Sequence, residues 1–392
     1  MTTTNHQAID ISAIEDVKVD IHADLVDNMA GLTSEDLTRL HINILTNIEN
    51  SDRKYVHIGH NAIARAYKPG KIVRAKLGKA VPRTLEVHNV IAGVPDNIQN
   101  YREKQPFSVL GISSSGMSSS LIEKNLRLTT LAFGNQLVGG YFHAEYDPDA
   151  DDALGMYDGA LAYIEKDKEK GYISKLSGNY VELTSTTYAN PLSPTDAECI
   201  AAYDRYISFV RSMNRYLRKE AIVYASVSEE QNIIRGYALK FEGAQTDIIN
   251  KDVFVSHEAR TVTLIGSDIY GSTGTQLIAT RPLNFEFGLD LTGSNEPSSA
   301  FIKISESPDD PLNAILISMQ VAAGTRVLNF NKDSLLVSNG TAPVMDDFDD
   351  GVYLVGKSNT IGGTDNEGVA SDSEGSKDPG GSGDGTGSEE EG

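Results

Sequence analysis

The chain has 392 residues, an apolar content of 40% and a formal net charge of −21, which is typical of an acidic globular protein of one or two domains. No apolar run approaches the roughly 18 residues of a membrane-spanning helix, and the N-terminal segment lacks the charged and apolar regions expected of a signal peptide. Cys199 is the only cysteine, which excludes an intrachain disulfide and a cysteine-rich metal cage and favours a reducing cytoplasm.

Apolar spacing predicts the elements of the N-terminal part of the chain. Residues 1–30 are acidic with scattered apolar side chains and predict an extended arm. Residues 33–50 predict a helix capped by Thr33, and residues 83–94 alternate as in a strand. Residues 119–141 predict a long helix with a wide buried face. The apolar residues of the first helix are Leu37, Leu40, Ile44, Leu45 and Ile48, and the residues on one side of the long helix are Ile122, Leu126, Thr129, Phe133, Leu137 and Tyr141.

One stretch departs from the general acidity, because residues 53–83 contain nine Lys or Arg and no Asp or Glu. Within it, residues 64–78 predict two strands joined by the Lys-Pro-Gly-Lys turn of residues 68–71, since Pro presets the first turn dihedral and Gly tolerates positive φ. A basic hairpin on an acidic chain can bind a nucleic acid or the acidic surface of another copy. Tyr55 and Tyr67 are its only aromatic residues, which favours the second partner.

Two further helices are predicted in the second half of the chain. One covers residues 160–169 and stops near Gly171. The other begins with Ser193 as N-cap and Pro194 as its first residue, and its polar side includes Arg205. Its buried side comprises Ile200, Tyr203, Ile207, Val210 and Leu217.

Strands are predicted within residues 221–228, 261–291, 300–307 and 314–330, with a further short strand after them. From residue 362 onward, nine acidic residues and ten glycines predict a disordered tail, because so few apolar side chains cannot offset the entropy of ordering. The sequence has no internal repeat.

Two short motifs leave a nucleotide-using enzyme as the alternative function. Residues 351–358 match the phosphate-loop pattern GxxxxGKS, but their middle positions are bulky and a Gly-rich tail follows them. Residues 57–60 spell the HIGH signature of class I aminoacyl-tRNA synthetases, which should open a helix, whereas here a Lys-Pro-Gly turn follows. Surface strands are the favoured interpretation of both motifs. No catalytic residue and no cofactor is predicted.

An acidic loop carries a weak calcium pattern. Asp147, Asp149 and Asp151 have the 1-3-5 spacing of a calcium loop, and Asp158 occupies position 12. The glycine expected at position 6 is replaced by Asp152, and position 12 lacks the longer, bidentate Glu. An acidic connection between helices is therefore the favoured interpretation, and no metal site is predicted.

The order of arm, hairpin, long helix, α/β insertion and return strands resembles the major capsid proteins of tailed phages, which have the Hong Kong 97-type fold. Five short segments resemble, in order and spacing, parts of capsid proteins from crAss-like and related Bacteroidetes phages: RTLEVHNV, NIQNYRE, MYDGALAYIEKDKEKGYIS, AYDRYISFVRS and TQLIATRPLNFEFGLDL. AILISMQVAAGTRVLNF is similar to their final P-domain strand. The resemblance covers roughly residues 83–330.

The resemblance implies an α+β fold with an N-terminal arm, an E-loop hairpin, a P-domain with a spine helix and a sheet, and an A-domain. The implied boundaries are 1–50 for the arm and first helix, 51–84 for the E-loop, 85–150 for the first part of the P-domain, 151–290 for the A-domain, 291–340 for the return strands and 341–392 for an acidic extension. The implied inter-subunit residues of the E-loop are Arg65, Lys68, Lys71, Arg74, Lys76 and Lys79.

The implied function is that of a non-enzymatic major capsid protein, which self-assembles into the icosahedral head of a tailed bacteriophage around double-stranded DNA. Its expected partners are other copies in hexamers and pentamers, together with portal, scaffold and decoration proteins, and no membrane. It would assemble in the host cytoplasm and be located in the virion. Another self-assembling virion or tail protein is a further alternative.

Overall fold

The computed structural model describes residues 37–46, 48, 50–58, 78–97, 129–130, 132–150, 153–184, 188–241, 259, 261–290, 301–306 and 314–345, which form an α+β fold. The first strands are β1 (Asn43–Thr46), β2 (Ser51–Ile58), β3 (Lys79–Glu86), β4 (His88–Asn97), β5 (Tyr180–Val181) and β6 (Ile222–Ala225). They are followed by β7 (Thr263–Gly266), β8 (Ile278–Thr280), β9 (Phe285–Asp290), β10 (Phe301–Glu306), β11 (Ala314–Val327) and β12 (Leu335–Ser338). The helices are α1 (Ala160–Glu169), α2 (Asp196–Ser212) and α3 (Val227–Lys240), and residues 129–130 and 132–139 are also helical.

The first sheet is built around β11. Along one edge, β11 pairs antiparallel with β4, from Ala314 opposite Asn97 to Ala323 opposite His88. Along the other edge it pairs with β10 and then with β9, which lie end to end. Strand β1 pairs in parallel with the far edge of β9. The ribbon of β2 and β3 forms a separate two-stranded sheet, whose second strand leads directly into β4.

The second sheet has the strand order β5-β12-β8-β6-β7 and is covered on both faces. Because side chains alternate along a strand, Ile222 and Tyr224 of β6 join the core shared with the first sheet, whereas Val223 and Ala225 join the core under α2 and α3. The shared core is rich in aromatic rings that meet edge to face, including Phe142 with Tyr270. The second sheet is therefore a middle layer.

The helix predicted over residues 33–50 is wrong beyond its first turn. Residues 37–39 are helical, but His41 has a φ of 54°, which ends the helix. The following residues form β1, whose pairing with β9 satisfies their backbone groups. Leu37 and Leu40 are buried as expected, because one turn of helix places them on the same side.

The later helices follow the sequence more closely. Helix α1 confirms the prediction for residues 160–169, and Gly171 follows it with a φ of 71°. Helix α2 starts two residues later than predicted, because Thr195 rather than Ser193 is its N-cap. The Thr195 hydroxyl accepts from the Glu198 amide, and the Glu198 carboxylate accepts from the Thr195 amide at 2.7 Å. No element was predicted for residues 229–241, most of which lie in α3.

The strands predicted in the C-terminal half are confirmed as β6 to β12, and the helical residues 132–139 confirm the end of the long helix. Phe133, Leu137 and Tyr141 are buried along it, as their spacing predicts. The predicted arm of residues 1–30, the turn at 68–71, the start of the long helix, the GKS motif and the tail lie outside the described residues. No described helix has the length and hydropathy needed to cross a bilayer.

Candidate assembly interface

The described stem of the basic hairpin is the antiparallel ribbon of β2 and β3. Its register runs from Ser51 opposite Glu86 to Ile58 opposite Lys79. Burial alternates along both strands, so that each strand has one face toward the body of the protein and one face toward solvent. The ribbon therefore has an inner face, which anchors it, and an outer face, which is available for contacts.

The inner face is held by a buried charge network centred on Arg326 of β11 and Glu286 of β9, each only 1% exposed. Arg326 Nε donates to Glu286 Oε2 at 2.7 Å, and its Nη2 donates to Asp52 Oδ2 of β2 at 2.8 Å. Lys54 Nζ donates to the second carboxylate oxygen of Glu286, also at 2.7 Å. Each charge in the network thus has a partner, which buried charges require.

A second buried ion pair ties β3 to α1. Arg83 Nη1 lies 2.8 Å from Asp167 Oδ1, and its Nε and Nη2 both donate to the carbonyl of Val327, at 2.8 and 2.6 Å. Burial raises the pKa of Asp167, and the neighbouring Arg83 acts in the opposite direction. The ribbon is therefore clamped to both the first sheet and a helix.

Two glycines paired in register let the ribbon cross the sheet closely. Gly324 of β11 faces Gly288 of β9, and a Cβ on Gly324 would lie 2.0 Å from the carbonyl oxygen of Glu86. A Cβ on Gly288 would lie 2.6 Å from the side chain of Leu85. Glycine is needed here because the chain passes from β3 to β4 directly over this point of the sheet.

The outer face carries the exposed groups of the stem. Arg53, Tyr55 and His57 of β2 point away from the body, and Tyr55, which is 63% exposed, lies opposite Pro82. Lys79 lies on the other side of β3, that of Val81 and Arg83, but it is also exposed at the far end of the described stem. Within the described part of the chain, neither Arg53 nor Lys79 makes an ion pair. A neighbouring molecule could therefore supply their carboxylates.

A cleft of about 550 Å³ lies beside the stem. Its lining comprises Lys54, Tyr55, Val56, His57, Leu328, Asn329 and Asn331. Consecutive β2 residues, which point to opposite faces, all contribute to it, so the cleft follows the edge of β2 rather than one face. The Asn331 amide closes one end by donating to the His57 carbonyl at 2.9 Å.

Of the six predicted inter-subunit residues, Lys79 alone lies within the described residues, where it is exposed at the end of β3. The other five, Arg65, Lys68, Lys71, Arg74 and Lys76, lie outside them and stay predictions. The basic residues of the described stem fall into two groups. Lys54 and Arg83 are used inside the chain, whereas Arg53 and Lys79 face solvent.

The described part of the HIGH motif, His57 and Ile58, lies in strand β2 rather than at the start of a helix. The signature of a class I synthetase is thus present in letters without its structural setting. Residues 351–358, with the GKS motif, lie outside the described residues.

Two carboxylates of the acidic segment after residue 146 are in contacts within the chain. Asp158 Oδ2 accepts from Lys166 Nζ at 2.6 Å, and Asp147 Oδ1 accepts from the Asp149 amide at 3.0 Å. Asp151 lies outside the described residues. Among the residues that are described, no three His, Cys, Asp or Glu side chains come together as a metal site.

No protein-family model and no curated protein matches the chain. Among solved structures, the chain is similar to one titled satellite phage P4 procapsid including size determination (Sid) protein, at 12% identity over 81% of this chain and 98% of that one, with a TM-score of 0.43. A structure of Mycobacterium phage Bobi matches at 11% identity over 78% and 90%, with a TM-score of 0.44. The capsid of the native GTA particle matches at 11% identity over 78% and 89%, with a TM-score of 0.43.

One charged cluster was not found from the sequence. Arg205, predicted on the polar side of its helix, is 4% exposed and its Nη1 lies 3.3 Å from Glu229 Oε1 of α3. Tyr188 also donates to Glu229, and burial raises the pKa of Glu229 to about 7 despite these two donors. The pair fixes α2 against α3 and lies far from the stem in sequence. Its only local signal in the sequence is a glutamate, Glu229, at the third position of a helix that Ser226 caps.

Proposed function

We propose that this chain is a major capsid protein of a tailed bacteriophage, which self-assembles into an icosahedral head around double-stranded DNA. We assign it the Hong Kong 97-type architecture, with the β2–β3 ribbon as the stem of its E-loop and the first sheet as its P-domain. The specific likeness to crAss-like and related Bacteroidetes phages belongs to the same proposal.

The observation that carries the proposal is how the stem distributes its charge. The inner charges are neutralised by Glu286 and Asp167, which fixes the direction of the ribbon. Arg53 on the outer face and Lys79 at the far end of β3 are exposed, and the basic sequence continues after β2 on a chain whose net charge is −21. A cationic arm on an acidic body is complementary to further copies of the same body.

The same reasoning favours a protein partner over a nucleic acid. Tyr55 is the only aromatic residue of the described stem, and it pairs with Pro82 rather than with another ring. Single-stranded nucleic acids usually bind where several aromatic rings stack against the bases. The partners we propose are therefore neighbouring copies in hexamers and pentamers, with portal, scaffold and decoration proteins, in a non-enzymatic virion role.

The test is assembly of the purified full-length chain, followed by negative-stain electron microscopy and sedimentation at increasing salt. We expect closed shells at low ionic strength and fewer shells as salt rises, because partly exposed ion pairs are screened. Reversing Lys68, Lys71, Arg74 and Lys76 to Glu should leave the chain folded and abolish assembly.

The matched control reverses four exposed positive residues outside the hairpin: Lys170, Lys175, Arg215 and Lys219. This variant has the same change in net charge, so loss of assembly in both variants would point to net charge rather than to the hairpin. Shells formed by the hairpin variant would refute the role of the arm. Monodisperse monomers of the wild-type chain under all conditions, with scaffold included, would refute the capsid function.

A further inference from the structure

The cleft beside β2 has the properties of a site for one more strand. Among the described strands, β2 pairs with β3 alone, so its other edge faces the cleft. The His57 carbonyl points to that edge, because it accepts from Asn331. The peptide group of Tyr55, two residues earlier, points the same way, since backbone groups alternate along a strand. An extended segment could therefore pair with the middle of β2.

The walls of the cleft suit an amphipathic strand. Val56 and Leu328 supply apolar surface, and the Tyr55 ring is 63% exposed beside them. Arg53 and His57 are exposed along β2, and Lys332 is exposed just after Asn331 on the opposite wall. The nearest carboxylate on β2, that of Asp52, is already paired with Arg326. A strand with alternating apolar and acidic residues would complement this lining.

The N-terminal part of the chain has a segment in which every second residue is apolar and which acidic residues flank. In Val17-Lys18-Val19-Asp20-Ile21-His22, apolar and polar residues alternate strictly. Residues 9–27 around it hold six carboxylates and one lysine. This composition is opposite in sign to the basic stretch that follows it in the sequence.

The N-terminal segment also enters the described structure close to the cleft. The Leu283 amide donates to the His41 carbonyl at 2.9 Å, and the carbonyl of the next residue, Asn284, accepts from the Leu328 amide at 2.9 Å. His41 is thus close in space to Leu328 of the cleft wall, because two backbone hydrogen bonds and the adjacent residues Leu283 and Asn284 connect them. At about 3.3 Å per extended residue, the roughly 15 residues from His22 to Leu37 can span up to about 50 Å.

We propose that residues 17–22 of the same chain occupy this cleft as a third strand along the edge of β2. Val17, Val19 and Ile21 then pack on Val56 and Leu328, and the flanking carboxylates lie among Arg53, His57 and Lys332. The third strand stiffens the hairpin stem, since a two-stranded ribbon is marginally stable alone. This inference concerns the single chain and does not depend on shell assembly.

The test is hydrogen exchange of the full-length chain under high-salt conditions in which sedimentation shows monomers. Val19→Asp together with Ile21→Asp removes the apolar side of the segment. We expect exchange of the peptide covering residues 53–58 to accelerate at least tenfold, with no change in β6 or β8. Unchanged exchange in the peptide covering residues 53–58 would overturn the proposal.

The matched control changes the opposite side of the same segment, with Lys18→Ser and His22→Ser, and should exchange like the wild type. Equal acceleration in the control would contradict the predicted orientation. Zero-length carbodiimide cross-linking of mixed 14N and 15N chains then identifies which copy occupies the cleft. Cross-links from Lys332 to Asp20 should join peptides of the same isotope, whereas mixed-isotope peptides would show that the occupant comes from a second copy and would overturn the same-chain assignment.

Discussion

Replacing Gly324 with alanine tests how closely the hairpin stem crosses the first sheet. A Cβ at this position would lie 2.0 Å from the carbonyl oxygen of Glu86, a backbone atom. Real Cβ contacts are essentially never shorter than 3.0 Å, so the chain at Glu86 would have to move by about 1 Å. The neighbouring glycine of the register pair, Gly288, would instead meet the flexible end of the Leu85 side chain.

The structure sets the size of the expected effect. Overpacking of this kind costs about 1–3 kcal/mol. The displacement also strains two hydrogen bonds, from the Val87 amide to the Asn50 carbonyl and from Arg326 to the Arg83 carbonyl, each worth about 0.5–1.5 kcal/mol. Alanine also lowers the conformational entropy of the unfolded chain, which offsets this destabilisation by less than about 1 kcal/mol. We therefore expect Gly324→Ala to lower the free energy of unfolding by about 3 kcal/mol.

Urea unfolding of the unassembled chain, followed by far-ultraviolet circular dichroism, measures this change, since the protein has no Trp for a fluorescence probe. Gly93→Ala is the matched control in strand β4 of the same sheet, because its Cβ would meet Leu316 at an ordinary 3.8 Å. The loss in free energy of unfolding for Gly288→Ala should lie between the losses for Gly324→Ala and Gly93→Ala. If Gly324→Ala and Gly93→Ala agree within about 0.5 kcal/mol, the close crossing of β3 over the sheet is refuted.

Two further predictions concern the buried ion pairs. Asp167→Asn leaves Arg83 buried without its carboxylate and should lower the free energy of urea unfolding by about 3–5 kcal/mol, whereas the double variant with Arg83→Met should lose less than the two single losses combined. Burial raises the pKa of Glu229 from its ordinary 4.5 to about 7, so the folded chain holds a proton that the unfolded chain releases, and the free energy of unfolding should fall as pH rises between these values. Glu229→Gln should remove that pH dependence from thermal unfolding, and an unchanged slope would contradict the raised pKa.

Elements defined by local signals could be predicted from the sequence. Helix α1 ends next to Gly171, which adopts a φ of 71°, and the buried face of α2 includes Tyr203, Ile207 and Val210 as their spacing predicts. The start of α2 was missed although its signal is present. Thr195 and Glu198 form a capping box, in which both side chains satisfy helix amides.

Elements defined by distant partners could not be predicted. Residues 43–46 fit a helical pattern, but they form a strand because β9, some 240 residues later, offers a parallel edge. Arg205 lies among polar residues of α2, and only the position of Glu229 on α3 explains its burial. Apolar periodicity reports which side of an element is buried, but it does not report which charged side chains find buried partners.

The sequence also does not show which basic residues of the hairpin stem have carboxylate partners within the chain. Lys54 and Arg83 lie directly opposite each other in the ribbon, an arrangement that like-charge repulsion would disfavour if they were alone. It is tolerated because Glu286 lies against Lys54 and Asp167 lies against Arg83. Arg53 and Lys79 have no such carboxylates within the described chain. The body supplies carboxylates for Lys54 and Arg83, whereas the charges of Arg53 on the outer face and of Lys79 at the end of β3 are left to water or to another molecule. The exposed groups of the stem, rather than the whole basic stretch, are therefore the candidate interface.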